Sequence, residues 1–473
     1  MAWLISLTAE TAIVDKPAEE AEHGGHHGHA HKVVGTGGQD GSSPAWPPFS
    51  TLWSDELRNG LRCVFRGLVE LLLRTASSRL CRSYSRLMCA RLTTSWMVRV
   101  IAALLTTAAA TSACSSPPAP NDGTPASSAE VVAPHLVAAR LDAEIRQAMM
   151  DASIPGAIVG IWGPAGDYVR AFGAANKATD LEMKSDFFSR IGSVTKTFTV
   201  TAMLQLVDQR ELALDEPISK YVPGVPSGDQ ITLRELAQMR SGLVTFDDVS
   251  EFTDSYLADP SQSFTPAKLL GYVLDKPLQF PPGTQYQYSN TNTVLLGLVV
   301  EKQSGQSLPD YISEHILAPL KMTHTSFPTG AAFPSPHAQG YTAAQGPEQI
   351  ATDWNPSWAW AAGNMISTLD DMRIWARALA TGALLTPQTQ RQRLDAAVPM
   401  NAQATAFYGL GIFNAAGWIG HSGSIFGYQT VALYLPETQT ALALFINTDA
   451  PHDASTILAR VITSLISPNH IYR

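Results

Sequence analysis

Cysteine is scarce in this chain of 473 residues and is confined to its first quarter. Cys63, Cys81 and Cys89 lie before residue 97, Cys114 follows, and residues 115–473 contain none. No disulfide can form within that long remainder, so its stability must come from core packing rather than from cross-links. The composition is compatible with an oxidising compartment.

Positive charge is also scarce. The chain has 32 Lys and Arg residues against 41 Asp and Glu residues, a formal net charge of −9. After Cys114 the counts are 21 basic and 32 acidic residues, a charge of −11. An acidic surface without a basic run argues against nucleic acid as a partner. No internal repeat and no dinucleotide-binding glycine motif is present.

The apolar run Val100–Ala113 is too short for an ordinary transmembrane helix, which needs about 20 apolar residues. It follows Met97-Val98-Arg99 and ends at Cys114, a pattern that predicts a secretory signal over residues 97–114. Thr111-Ser112-Ala113-Cys114 resembles the lipobox of bacterial lipoproteins, in which the cysteine is lipidated, although Leu or Val usually stands where Thr111 does. We therefore expect export, as a lipoprotein on the outer face of the membrane or as a secreted protein.

The segment before this signal differs from the rest of the chain. Because signal peptides are N-terminal, residues 1–96 are interpreted as an over-called start or a disordered tail, with translation beginning at Met97. The alternative is a cytoplasmic tail ahead of a signal anchor, whose histidine cluster could bind a metal. Residues 115–130 are rich in Pro, Ser and Ala, as expected of a linker, and we assign the folded domain to residues 131–468.

Strand patterns lie at both ends of the folded domain, and helical patterns fill its middle, about residues 210–400. A helix is predicted at Leu136–Met150 and another at about Ala454–Leu465. The predicted strands are Ala157–Trp162, Tyr168–Phe172, Trp418–His421, Tyr428–Leu435 and Ala441–Ile446. This order predicts an α+β fold in which terminal helices flank one antiparallel sheet and a mainly helical lobe is inserted, with a cleft at the junction.

Ser193-Val194-Thr195-Lys196 is the motif with the clearest chemistry. One helical turn of about 3.6 residues brings side chains at positions i and i+3 to the same face. A serine hydroxyl is a poor nucleophile unless a base takes its proton, and a lysine can do so only when its pKa is lowered. Burial and the positive end of a helix both disfavour the ammonium form. The motif predicts a nucleophile beside its base, although Ser-x-x-Lys also arises by chance.

Two further motifs follow in the chain. Tyr288-Ser289-Asn290 comes after a Pro-Pro-Gly turn, and His421-Ser422-Gly423-Ser424 lies at the end of a predicted strand. Taken singly, the first could be a loop that begins a helix and the second an ordinary turn. Together with the Ser193 motif, their order and separation indicate one active site.

This order resembles that of the penicillin-recognising serine hydrolases, which include class C β-lactamases, D-alanyl-D-alanine carboxypeptidases and related esterases. The resemblance covers about residues 135–465, and the histidine form of the third motif is most similar to the secreted actinobacterial carboxypeptidase branch. It implies a β-lactamase-like fold, an acyl-enzyme intermediate, and neither a cofactor nor a metal.

The resemblance also implies a role for each catalytic position. Ser193 would attack the carbonyl carbon, Lys196 would accept its proton, and Tyr288 would relay that proton to the leaving group and later help activate water. The backbone N–H groups of Ser193 and Ser424 would form the oxyanion hole.

Substrate-binding roles follow by the same resemblance. Asn290 would hold a side-chain amide of the substrate, and Gly423 would keep its strand open to the substrate. His421 would supply polarity, or a positive charge, at the edge of the cleft. Trp358 and Trp360 would line the cleft, with core packing as the alternative for either.

One departure from the carboxypeptidase branch bears on the substrate. That branch has an arginine before the third motif that grips a terminal carboxylate, whereas no Lys or Arg occurs here between Arg393 and Arg460. A free carboxylate would depend on His421 or on the hydroxyls of Ser422 and Ser424, a weaker anchor than a guanidinium. The change favours an ester or a blocked peptide.

Several activities therefore stay open at this point. D-alanyl-D-alanine carboxypeptidase has the closest overall resemblance, esterase fits the site chemistry better, and weak β-lactamase comes third. The alternative of a different class is a non-catalytic lipoprotein that binds penicillin or cell-wall peptides. The expected partners are a small molecule or a peptidoglycan peptide, with β-lactams as inhibitors or substrates and the membrane only through a lipid anchor.

Overall fold

The structure is a computed structural model that describes residues 132–473. The predicted tail (1–96), signal segment (97–114, with Cys114) and linker (115–130) lie outside the described residues. Within residues 132–473, no helix has both the length and the apolar character needed to cross a membrane.

The helices and strands of the described residues are as follows. The strands are β1 (Gly156–Trp162), β2 (Tyr168–Asn176), β3 (Leu181–Glu182), β4 (Ser189–Arg190), β5 (Tyr341–Thr342), β6 (Gln349–Ile350), β7 (Ile366–Ser367), β8 (Val398–Pro399), β9 (Ala406–Tyr408), β10 (Phe413–Ala415), β11 (Trp418–Ile425), β12 (Tyr428–Leu435) and β13 (Thr440–Ile446). The α-helices are α1 (Ala138–Asp151), α2 (Thr195–Asp208), α3 (Leu233–Ala237), α4 (Ser250–Ala258), α5 (Pro266–Leu270), α6 (Asn290–Ser304), α7 (Leu308–Ile312), α8 (Ala318–Leu320), α9 (Leu369–Thr381), α10 (Pro387–Asp395) and α11 (Ala454–Ile466).

One antiparallel sheet of nine strands organises the described residues, in the order β3-β2-β1-β13-β12-β11-β10-β9-β8. The first and last long strands meet at its centre, where Val159 on β1 pairs with Leu444 on β13. Every residue of β1, β12 and β13 is buried, because the sheet is covered on both faces. Successive side chains therefore enter two different cores: Ile158 packs on one side and Val159 on the other.

The two cores separate the terminal helices from the inserted lobe. Leu141 and Ile145 on α1 lie one helical turn apart and pack with Leu458 and Ile462 of α11 against one face of the sheet. The helices of the insertion cover the other face and share a core with β12 and β13. The predicted α+β architecture, with its inserted helical lobe, is confirmed.

The differences from the predicted elements lie mainly at one edge of the sheet. Strands β8, β9 and β10 were not predicted, and β11 continues to Ile425 rather than ending at His421. The edge strands are two or three residues long, which is too short to show an alternating pattern. This edge matters for the site because β10 pairs with β11, and β9 pairs with β10.

Candidate active site

Ser193 lies in a tight turn at the junction of the helical lobe and the sheet. Residues Gly192–Val194 form a 3-10 turn that leads directly into α2. Gly192 has a φ of +49°, and a Cβ there would lie 2.7 Å from the backbone N of Ser424. Only glycine combines that conformation with so close an approach to β11. The turn therefore holds Ser193 against the strand that carries the third motif.

Lys196 is fully buried beside Ser193, one turn further along. Its Nζ lies 2.9 Å from Ser193 Oγ and donates to the carbonyl of Ala362 at 2.8 Å. Burial lowers the pKa of Lys196 to about 7, against the opposing effect of the negative charge on Asp247. A large share of the lysine is then a neutral amine at physiological pH, and this amine can accept the proton of Ser193.

Buried polar contacts fix α2 in place behind this pair. Arg393 is 1% exposed, and its guanidinium donates to Thr197 O and Thr201 Oγ1. It also donates to Leu410 O, which ties α2 to the segment before β10. On the same helix, the hydroxyl of Thr197 accepts from Trp375 Nε1 at 2.8 Å. Burial lowers the pKa of Arg393 only to about 9, so the cation remains but is enclosed and out of reach of a substrate.

Tyr288 lies beside Ser193 and Lys196. Its side chain interacts with that of Ser193, and Lys196 Nζ lies 4.9 Å from the centroid of its ring. Burial raises the pKa of Tyr288 well above its usual value, so the phenol keeps its proton at neutral pH. A protonated phenol in contact with the nucleophile can pass a proton between Ser193 and a leaving group.

Asn290, the last residue of the Tyr288 motif, opens α6 and is held by two neighbours. Its backbone N donates to Thr245 Oγ1 at 2.9 Å, and its Nδ2 donates to Asp247 Oδ2 at 2.8 Å. Asp247 was not among the predicted site residues. Its place depends on the packing of the 3-10 turn Phe246–Asp248 against α6, which no spacing in the sequence reveals.

Gly423 brings β11 into contact with the turn that carries the nucleophile. A Cβ at this position would lie 2.0 Å from the carbonyl oxygen of Ile191 and 2.9 Å from the backbone N of Ser193. Gly192 makes the matching close approach to Ser424, so the two glycines let the turn that carries Ser193 pack directly against the backbone of Ser424. Two backbone N–H donors, those of Ser193 and Ser424, can stabilise an oxyanion.

His421 does not provide the positive charge considered from the sequence. It is 3% exposed, its Nδ1 is hydrogen-bonded to the carbonyl of Ser422, and its Nε2 lies 3.0 Å from the hydroxyl of Tyr408. Since a carbonyl only accepts, Nδ1 carries the proton, and Nε2 accepts from Tyr408. Burial lowers the pKa of His421 to about 3, and the ring is neutral at physiological pH.

Tyr408 is therefore a site neighbour that the sequence did not reveal. Its ring packs edge-to-face on Tyr288, with ring centroids 6.1 Å apart. The ring of Phe413 on β10 packs on that of His421, with centroids 5.2 Å apart. Tyr408 reaches this position because β9 pairs with β10 and β10 pairs with β11. The carboxypeptidase branch has a carboxylate-binding arginine beside the third motif. In this chain, which has no arginine there, that place is lined by aromatic rings.

Two predicted substrate contacts are already engaged elsewhere. Trp358 is 9% exposed and packs against Tyr256 and Phe426, so core packing, the alternative considered for it, describes its position. The side chain of Ser422 lies near that of Tyr472, close to the end of the chain. Ser424, by contrast, is exposed. In residues 132–473 no cluster of three or more His, Cys, Asp or Glu side chains could hold a metal ion.

Comparison with known proteins gives a consistent result. A model of the beta-lactamase family matches residues 141–465. A candidate penicillin-binding protein of Bacillus subtilis (strain 168), PbpX, is 26% identical over 281 residues, which cover 59% of this chain and 66% of the relative. Protein flp of Staphylococcus aureus (strain MW2) is 25% identical over 279 residues, which cover 55% of this chain and 53% of that protein. The chain thus matches at most about two thirds of these relatives' length.

Two solved structures are covered almost completely by the described domain. A D-stereospecific amidohydrolase from a Streptomyces species has a TM-score of 0.62 and 29% identity, over 69% of this chain and 98% of that one. D-amino acid amidase from Ochrobactrum anthropi SV3, solved with L-phenylalanine amide, has a TM-score of 0.59 and 27% identity, over 69% of this chain and 99% of that one.

Replacing Gly423 with alanine should lower kcat on a p-nitrophenyl ester by about 100-fold or more, because the new methyl group would clash with the carbonyl of Ile191 and push the turn that carries the Ser193 amide away from β11. Steady-state kinetics measure the effect. Gly330→Ala is the matched control, since a Cβ at Gly330 would meet nothing within 4 Å. A fully active Gly423→Ala protein would show that these two amides do not form the oxyanion hole.

The ester-hydrolysis rate should rise with pH through about 7, because only the neutral form of Lys196 can take the proton of Ser193. Below that pKa the amine is protonated and the rate falls. The measurement is kcat/KM for p-nitrophenyl acetate across the range from about pH 5 to about pH 9. Lys196→Arg, whose guanidinium stays charged, should be inactive throughout. A rate that is independent of pH across this range would contradict the assignment.

Proposed function

The chain belongs to the beta-lactamase family of serine hydrolases, and from that premise we propose that it is an amidohydrolase that forms an acyl-enzyme at Ser193. The observation that carries the proposal is the 2.9 Å contact between Ser193 Oγ and a fully buried Lys196 whose pKa burial lowers to about 7. A lysine placed in this way serves as a base, and a protein that only binds ligands has no need of it.

Acylation begins with attack of Ser193 Oγ on the amide carbonyl carbon while Lys196 Nζ takes the hydroxyl proton. The N–H groups of Ser193 and Ser424 stabilise the oxyanion, at roughly 3–4 kcal/mol per donor. The proton reaches the leaving nitrogen through the hydroxyl of Tyr288, which accepts one proton as it donates another. The C–N bond then breaks, the amine departs, and Ser193 carries the acyl group as an ester.

Deacylation uses the same groups in reverse. Water attacks the ester carbonyl carbon, its proton passes to the Tyr288–Lys196 pair, and the oxyanion again faces the amides of Ser193 and Ser424. Collapse of the intermediate breaks the bond to Oγ, which regains a proton. The balance is one amide and one water consumed, with one carboxylic acid and one amine released.

The surroundings of His421 support a substrate whose leaving group carries no carboxylate. The ring is neutral, Tyr408 caps its Nε2, and Arg393 is enclosed by Thr197, Thr201 and Leu410. A carboxylate placed there would lose its water without gaining a cation, which is costly. The similarity to a D-stereospecific amidohydrolase and a D-amino acid amidase supports D-configured amino acid amides as the substrates.

D-alanyl-D-alanine carboxypeptidase is the second candidate, and the intact group of Ser193, Lys196 and Tyr288 is compatible with it. Ester hydrolysis and reaction with β-lactams would use the same acylation step. What separates these activities is the group on the leaving side, since a carboxypeptidase must accommodate a free carboxylate beside the bond that it cleaves.

We also propose that the enzyme works outside the cytoplasm. The support comes from the sequence alone: the signal-like segment 97–114, the lipobox-like residues that end at Cys114, and the absence of cysteine after it. A lipid on Cys114 and the linker 115–130 would hold the domain at the outer face of the membrane.

Ser193→Ala should abolish labelling by a fluorophosphonate and by a fluorescent penicillin, because both reagents acylate or phosphonylate the same oxygen. Ser464→Ala, an exposed serine on α11, is the control and should label like the unaltered protein. Labelling is read by gel fluorescence and peptide mass spectrometry. Should folded protein react with neither reagent, the acyl-enzyme proposal fails.

The substrate itself is tested with N-acetyl-D-alanyl-D-alanine and its C-terminal amide. We expect kcat/KM to be about tenfold higher or more for the amide, a difference of about 1.4 kcal/mol, because the free acid must bury an unpaired carboxylate. Faster cleavage of the free acid would favour the carboxypeptidase instead.

Expression of the full gene in a bacterial host tests the export proposal. The mature protein should be found in the membrane fraction and begin at lipid-modified Cys114, as read by mass spectrometry of its N-terminal peptide. Cys114→Ala should move it out of that fraction. An intact protein that begins at Met1 in the cytoplasm would overturn the proposal.

A further inference from the structure

The amine of Lys196 is held by a short turn that lies far along the chain. Residues Trp360–Ala362 form a 3-10 turn (the Trp360 turn). Its last carbonyl oxygen, that of Ala362, accepts from Lys196 Nζ at 2.8 Å. The preceding carbonyl oxygen, that of Ala361, accepts from Thr199 Oγ1, also at 2.8 Å. Because Lys196 and Thr199 are three positions apart on α2, the turn lies along the helical face that carries the base.

Trp360, the first residue of this turn, has a backbone conformation that a bulky side chain does not favour. Its φ is +32°, on the side of the backbone map that residues other than glycine rarely adopt. Such a conformation persists only where the surrounding contacts over-determine it. Part of that constraint comes from Asn364, whose backbone N donates to Trp360 O at 3.2 Å and whose Nδ2 donates to Pro328 O at 2.8 Å.

The rest of the constraint comes from Gly297, in the middle of α6. A Cβ at Gly297 would lie 2.8 Å from Ala361 Cβ and 2.8 Å from Cζ3 of the Trp360 ring, closer than non-bonded carbon atoms approach. Ala361 Cβ is attached directly to the backbone, so the turn itself would have to move. A glycine inside a helix is unfavourable relative to alanine, and here it has a packing reason: it lets the Trp360 turn lie directly on α6.

The side chain of Trp360 is thereby engaged in packing rather than free to line the cleft. It is half-buried and packs against the core of the helical lobe, with its ring on Gly297. The Trp360 turn thus contacts two helices: α6 through the ring and the methyl group of Ala361, and α2 through two carbonyl oxygens.

The direction of the Ala362 carbonyl matters for the chemistry of the base. A neutral amine has two N–H groups and one lone pair, and only the lone pair can take a proton. Lys196 is fully buried, and its Nζ contacts Ser193 Oγ and Ala362 O. An N–H that is donated to a fixed carbonyl limits rotation of the amine, so that its lone pair can face Ser193.

We infer that Gly297 and Trp360 are positioning residues, whose contact with each other holds the Ala362 carbonyl where it orients the amine of Lys196 toward Ser193. They act through Ala362 and not on the reacting atoms. The inference rests on the proposed function, because it concerns the base of that acylation step.

The first test is Gly297→Ala. We expect kcat on p-nitrophenyl acetate to fall by about 10- to 100-fold, with KM changed less than about twofold, because the turn moves while the substrate-binding surface stays. In the double variant Gly297→Ala/Ala361→Gly, the methyl group that the new Cβ meets is gone, and about fivefold of the loss should be regained. Leu458→Ala is the control: it opens a cavity in the core on the other face of the sheet and should lower Tm without changing kcat.

The pH–rate profile separates orientation from folding. A carbonyl accepts more strongly from an ammonium than from an amine, so the Ala362 contact favours the protonated form of Lys196. The other groups that face Lys196 are unchanged by Gly297→Ala: Ser193, Asp247, Tyr288 and His421. The acidic limb of the profile should therefore move to lower pH in this variant while its maximum falls. Poorer folding alone would lower the rate at every pH and leave the limb in place.

Substitutions of Trp360 give an independent test that adds no bulk to α6. Trp360→Phe keeps a ring on Gly297 and should keep most of the activity, whereas Trp360→Ala should lower kcat and move the acidic limb as Gly297→Ala does. Circular dichroism and thermal melting show whether each variant folds. If Gly297→Ala does not fold, the two Trp360 variants decide the question.

The inference is overturned if Gly297→Ala and Trp360→Ala keep the kcat of the unaltered enzyme, or if Leu458→Ala causes the same loss and the same shift. An acidic limb that stays in place, or that moves to higher pH because water reaches the amine, also contradicts it. The rate at which a fluorophosphonate labels Ser193 distinguishes this failure from that of the proposed function. No labelling of the unaltered protein means that the proposed function fails, whereas equally fast labelling of the variants means that only the positioning role fails.

Discussion

The burial of Lys196 is the constraint on which the active site depends. A lysine in water is protonated and useless as a base, whereas this one loses its hydration at the start of a helix and its pKa falls to about 7. The fold has to provide that enclosure. Arg393 anchors α2 from behind by donating to Thr197 O, the carbonyl of Ala362 orients the amine, and the ring of Tyr288 covers it. Each of these contacts comes from a different part of the chain.

The distribution of charge around Ser193 gives the site its chemical preference. The cations near it are either enclosed, as Arg393 is, or required to be neutral, as Lys196 is. The carboxylate of Asp247 is held by neutral donors. The site therefore combines a buried lysine of lowered pKa beside Ser193 with an enclosed arginine and a carboxylate that neutral donors hold.

Local patterns were enough to predict the α+β fold, because helix periodicity and strand alternation depend on neighbouring residues. Short motifs also singled out Ser193, Lys196 and Tyr288, which the structure brings together. The structure also places Asn290 and Gly423 beside them. What could not be predicted depends on contacts between distant segments. Tyr408 reaches His421 only because two very short strands pair at the sheet edge, and this contact fixes the neutral form of the histidine.

The close approach of Gly192 and Gly423 joins the two ends of the folded domain, and this has a consequence for biosynthesis. Ser193 is synthesised well before β11, the strand that carries Ser424. Strand β11 also reaches β1 only through β12 and β13. A nascent or truncated chain thus contains Ser193 but no complete site, and the enzyme stays inert until synthesis has passed residue 446.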